Sequence, residues 1–128
     1  MASRTESVTL AWDPTSAGQA RELTAQMCAA AGFTTELSAT CVLLTSETVT
    51  NALLHGRSHV RLTVITGPAG VRVEVGDDNS RLPVLYDHQD LDALNGRGIL
   101  MIDACATAWG ITPEGCGKTV WFEVSPST

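Results

Sequence analysis

Basic residues are scarce in this chain. Its 128 residues include eight Lys and Arg against fourteen Asp and Glu, a formal charge of −6. A surface that tracks nucleic-acid phosphates needs clustered cations, so DNA and RNA are excluded as expected partners. The four cysteines, Cys28, Cys41, Cys105 and Cys116, form no CxxC pair, and no cation neighbours the first three. Buried or neutral thiols of a reducing compartment are expected rather than a reactive centre. The opening residues MASRTESVTLAW lack the apolar core of a secretory signal. No apolar run reaches the roughly 18 to 20 residues that span a bilayer. These absences lead to the expectation of a soluble, cytoplasmic protein without a membrane partner. Internal repeats and low-complexity segments are also missing, so residues 1–128 read as one domain. A chain of this length buries roughly two thirds of its unfolded surface and needs no staples.

The elements that are present follow a distinct order. A short alternating segment, Ser7 to Trp12, precedes DPTSAGQARELTAQMCAAAG, where Asp13 caps, Pro14 opens and Gly32 stops a first helix. A second helix of about 20 residues is predicted from a Thr34 or Thr35 cap to Gly56. Val60, Leu62 and Val64 then alternate with polar residues, as do Val71, Val73 and Val75, around the turn GPAG. That is an antiparallel hairpin with one buried face. Residues 79–95 show no sustained period and read as a long loop, a kind that usually has a job in a small domain. NGRG precedes a third helix, ILMIDACAT, and AWGITPEGCGKTVWFEV closes the chain as two strands. Such an order suits an α+β two-layer sandwich, a mainly antiparallel sheet covered on one face by about three helices.

The second helix carries a polar stripe. At 100° per residue, Asn51 lies about 40° and His55 about 80° round from Glu47. A solvated helix face is the simple account of three such residues. Yet no basic residue stands between Arg21 and Arg57, and Leu43, Leu44 and Leu54 flank the stripe. Glu47 therefore lacks a helical counter-ion, and a carboxylate in apolar surroundings calls for a metal, ligand or water to compensate it. His55 and His59 have HxxxH spacing, but Gly56 ends the helix between them and no third zinc ligand is evident.

Other elements carry possible chemistry. Asp77 in GDDNS follows a strand and faces either a cleft or an ordinary Asx turn. Gly96 and Gly98 in NGRGIL stand before an apolar helix, whose free amides and dipole can hold a phosphate. Thr119 in GCGKTVWFE lies in a strand after a tight turn.

In this order, SETVTNALLHG, VEVGDDNSRLP, GRGILMIDACATAWG and GKTVWFE resemble the bacterial anti-sigma-factor serine kinases and their regulatory relatives. These belong to the ATPase superfamily of gyrase, the heat-shock-90 chaperone, histidine kinases and mismatch-repair ATPases, which share the Bergerat fold. The resemblance implies ATP and Mg²⁺ as cofactors, with Asn51 on the Mg²⁺ and Glu47 as the base that orients or deprotonates the nucleophile. It implies Asp77 as acceptor for the adenine amino group, with Thr119 in the adenine pocket. Residues 79–95 become the lid over the nucleotide, Gly96 and Gly98 its folding glycines, Arg97 a phosphate contact, and His55 a neighbour of the phosphates or lid.

The implied activity is a serine/threonine protein kinase that phosphorylates an anti-anti-sigma partner or holds a sigma factor inactive. Sigma-binding relatives are typically homodimers. Where the superfamily commonly reads DxGxG, this chain has Asp77, Asp78, Asn79, Ser80 and Arg81, so the turn beneath the adenine is reshaped. The altered turn and the acidic loop, with Asp87, Asp90 and Asp92, favour an alternative: a regulatory module of the same fold that acts by protein contact.

Overall fold

The computed structural model describes residues 3–56, 58–78, 94–115 and 117–126, with the side chains of 55, 56 and 94–99 outside the description. Strand β1 (Arg4–Leu10) leads into helix α1 (Ser16–Ala30) and the long helix α2 (Thr35–Gly56). The hairpin β2 (Val60–Gly67) and β3 (Gly70–Asp77) follows, then α3 (Leu94–Cys105) and the hairpin β4 (Ala108–Glu114) and β5 (Gly117–Val124).

Local chemistry accounts for the helix ends. Asp13 accepts hydrogen bonds from the Thr15 backbone N–H and hydroxyl, each 2.8 Å, so it fixes the approach to α1 from two residues before the cap. Its carboxyl is held below the ordinary carboxylate range, chiefly by the backbone bond and then by the hydroxyl. Gly32, at φ 77°, takes the left-handed backbone that stops the first helix. Thr34 supplies the α2 cap, its hydroxyl accepting from the Leu37 N–H at 3.2 Å.

The five strands are ordered β1-β2-β3-β5-β4, and every neighbouring pair is antiparallel. Pro113 fits because β4 is an edge strand, where a missing N–H need not break a ladder. Val60, Leu62 and Val64 of β2, Val71, Val73 and Val75 of β3, and Val120, Phe122 and Val124 of β5 are buried on one face. Leu44, Val49 and Leu53 of α2, Ala20 and Met27 of α1, and Ile102 of α3 join them in one core.

The opposite face is polar. Arg72 stacks 4.2 Å over the Trp121 ring and pairs with Glu74 and Glu123.

Helix α2 lies between α1 and α3 and packs on the sheet through β3. Contrary to the expectation that no run is long and apolar enough to span a bilayer, Thr35–Leu54 passes by length and composition, though Leu37, Cys41, Leu44, Val49 and Leu53 join it to the core. Its buried threonines are satisfied locally: Thr48 donates to the Leu44 carbonyl at 2.6 Å, and Thr45 meets Thr24 of α1 at 3.3 Å. Cys28 and Cys41 are buried free thiols and Cys105 is exposed, while Cys116 lies outside the described residues. A hydrogen bond with Cys41 draws the Cys28 thiol below its ordinary pKa. The same bond, then burial, pushes Cys41 far upward.

Several boundaries differ from the sequence reading. Strand β1 runs Arg4–Leu10 rather than Ser7 to Trp12, and α1 begins at Ser16 with Thr15 at the cap, so Asp13, whose carboxylate is taken by Thr15, and Pro14 precede the helix instead of capping and opening it. Helix α3 begins at Leu94, so Gly96, Arg97 and Gly98 stand in its opening turns rather than before it. A glycine weakens a helix by only about 0.5 to 1 kcal/mol, and tertiary context overrides so small a preference. The expected lid, 79–95, falls outside the described residues except for Leu94 and Asn95, which are helical.

Candidate functional site

The stripe on α2 occupies a boundary. Leu37, Cys41, Leu44, Thr45, Thr48, Val49 and Leu53 form the buried arc of the helix, while Leu43 and Leu54 are exposed. Glu47 and Asn51 lie between the two, half-buried, one turn apart. The arc begins beside them at Leu44 and Thr48, rather than opposite them as a solvated face would require.

Helix α1 meets α2 through Thr45 and through Ser46, whose hydroxyl accepts from Arg21 Nη1 at 3.0 Å. At 100° per residue those positions are roughly 120° to 140° round the helix from Asn51. The Glu47 and Asn51 edge is thus turned away from α1. Among the described residues no salt bridge reaches Glu47. His55 is helical, and its side chain lies outside the description.

Asp77 ends the central strand. It continues the alternation of Val71, Val73 and Val75, so its side chain falls on the helix-covered face, and it is 2% exposed. Its register partner across the sheet is Lys118, 5% exposed. The Lys118 ammonium lies 3.0 Å from Asp77 Oδ2 and 3.3 Å from Oδ1 and donates to both. Lys118 shares the parity of Val120, Phe122 and Val124, a signal the sequence carries and the motif reading passed over.

Thr119 is the next residue and points the other way. It is paired in register with Gly76, and its hydroxyl donates to Glu114 Oε1 at 2.6 Å. Together with Ser7, Arg61, Glu74 and Glu114 it lines a polar cleft of about 320 Å³ on the outer face of the sheet. The structure therefore brings Asp77 together with Lys118, and does not bring it together with Thr119.

Asp78, the last described residue before position 79, is held by two basic side chains. Asp78 lies 3.3 Å from Arg61 Nη1 and 3.5 Å from His59 Nε2. Gly117 closes the other side: a Cβ there would overlap the Asp77 carbonyl oxygen, so only glycine lets β5 begin this close to β3.

A hard divalent cation takes oxygen ligands. Asn51 and Glu47 offer an amide oxygen and a carboxylate on one half-buried edge, a donor set that fits Mg²⁺. No three His, Cys, Asp or Glu side chains converge among the described residues, so most ligands to such a cation would come from what it arrives with.

A five-stranded antiparallel sheet with three helices, and a carboxylate buried at the end of its central strand, define an α+β sandwich with a charged pair between sheet and helices. The model of the histidine kinase-like ATPase domain matches residues 10–124, and the chain belongs to that family. Among solved structures, the RsbU and RsbW domains of Rv1364c from Mycobacterium tuberculosis match with a TM-score of 0.70 at 19% identity. The match covers 98% of this chain and 35% of that one, so this chain spans about a third of its neighbour's length and shares its fold. No curated protein matches.

Proposed function

We propose that the chain binds ATP with Mg²⁺ and is a serine/threonine protein kinase of the anti-sigma-factor type, acting on an anti-anti-sigma partner. The observation that carries this reading is the Asp77 carboxylate, buried on the helix side of the central strand in an ATPase-domain fold. Asp77 accepts the hydrogen bond of the adenine amino group. Asn51 ligates Mg²⁺, which neutralises phosphate charge when bound. Glu47, without a salt bridge among the described residues, accepts the proton of the substrate hydroxyl. The phosphoryl group passes to that oxygen as ADP leaves, a reaction in which positioning and electrostatics supply most of the rate.

Gly96, in the first turn of α3, offers the phosphates a free helix amide, Gly98 lets the chain fold onto them, Arg97 contacts a phosphate, and residues 79–95 with His55 cover them. The solved neighbour carries an RsbW domain together with an RsbU domain, which supports a regulatory role with a protein partner, an anti-anti-sigma protein or a sigma factor. A soluble, cytoplasmic setting and a homodimer complete the reading.

Titration with ATP, with and without Mg²⁺, tests it. Wild type should bind at or below near-millimolar concentrations, Asn51→Ala should lose the Mg²⁺ dependence, and Asp77→Ala should lose binding. Absence of nucleotide binding by wild type and by Lys118→Gln alike refutes the proposal. With labelled ATP and an anti-anti-sigma partner, Glu47→Ala should slow transfer to serine by roughly 10² to 10⁴. Equal transfer removes Glu47 as the base.

A second reading has its own observation. Lys118 already holds the carboxylate that adenine needs, which favours a module that regulates by contact and transfers phosphate poorly or not at all.

A further inference from the structure

The Asp77–Lys118 pair has a consequence for any ligand that reads Asp77. Both carboxylate oxygens face one ammonium, at 3.0 and 3.3 Å, and both residues are almost wholly buried. The lysine is tethered opposite the carboxylate. Its backbone is held in the β3–β5 ladder opposite Asp77, and Gly117 immediately before it is pressed against the Asp77 backbone. The pleat keeps its stem on the helix side, and an ammonium there is costly unless an anion or water takes it.

We infer that Lys118 is a built-in occupant of the base-recognition carboxylate and sets the affinity of the site for aminopurine nucleotides. The inference rests on the nucleotide site proposed above. An exocyclic amino group is a neutral donor, and its bond to a carboxylate is weaker than the charge-assisted bond it must replace. The internal ammonium is tethered on the facing strand, so it competes without the loss of freedom that an incoming nucleotide undergoes. Binding to wild type is therefore weak, and a neutral side chain at 118 strengthens it. A residue that merely supported the fold would, when replaced, leave affinity unchanged or lower it.

Lys118→Gln and Lys118→Thr test this by calorimetric titration with ATP, Mg²⁺ present, on the full chain. Gln keeps one donor for Asp77 and so guards against an unfolded variant, and circular dichroism checks both. The expected result is ATP binding tighter than wild type by about tenfold or more, since a tenfold change corresponds to only about 1.4 kcal/mol. Equal or weaker binding by the folded variants overturns the inference: Lys118 would then be indifferent, or would itself bond the base. If wild type binds ATP as tightly as the variants, the nucleotide reading stands and this inference alone fails. If neither wild type nor variants bind, both fall.

Discussion

On β5 the pleat decides which face of the sheet each polar side chain occupies. Asp77 and Lys118 point toward the helices, whereas Thr119 points away and bonds Glu114. Thr119→Ala should therefore leave ATP affinity within about twofold of wild type, as expected for a site without shared partners. Its stability should fall by about 1 kcal/mol for the lost hydrogen bond, read from a urea midpoint. A large loss of affinity would place Thr119 in the site after all.

Asp13 makes a pH-dependent prediction. Its pKa is lowered in the folded protein by the Thr15 bonds, so its contribution is present above the unfolded value, about 3.9, and is lost as pH falls through the lowered folded one. Asp13→Ala should melt below wild type at neutral pH, with the gap narrowing as the buffer is acidified below about 4. A gap that widens in acid contradicts the assignment.

At the scale of elements, α2 carries both structure and chemistry. Trp12, 62% exposed, donates its indole N–H to the Leu53 carbonyl at 2.8 Å and ties the last turns of α2 to the end of β1. Trp12→Phe keeps the ring and removes the bond, so stability should drop by about 0.5 to 1.5 kcal/mol. Hydrogen exchange should quicken in the closing turns of α2, beside Asn51, before it does in β3. Uniform loss of protection would mean that the bond is not local to that end.

The extent of α2 was legible because Thr34 and Gly56 bracket an unbroken helical pattern. The start of α3 was not. Its glycines look like turn residues, yet they join a helix that packs against α2.

For the whole molecule, stability resides in a single aliphatic layer between sheet and helices. Phe122, on β5 beside central β3, is the largest fully buried side chain among the described residues. Phe122→Ala should cost about 3 to 5 kcal/mol, by lost transfer energy and the cavity left behind. A denaturant midpoint shift below that of Trp12→Phe would show that the layer is not the main source of stability.

The strands, the helices and the one-sided sheet follow from periodicity, because apolar residues spaced by two or by three and four leave only a few layered arrangements that bury them together. The motif order likewise carried the family. What the tertiary structure alone decided is the company each polar residue keeps. Strand register sets Lys118 opposite Asp77, and the pleat turns Thr119 to the outer face. Register joins residues 41 positions apart, a distance at which local pattern says nothing about contact. The burial that makes the ion pair consequential arises only when helices cover that face.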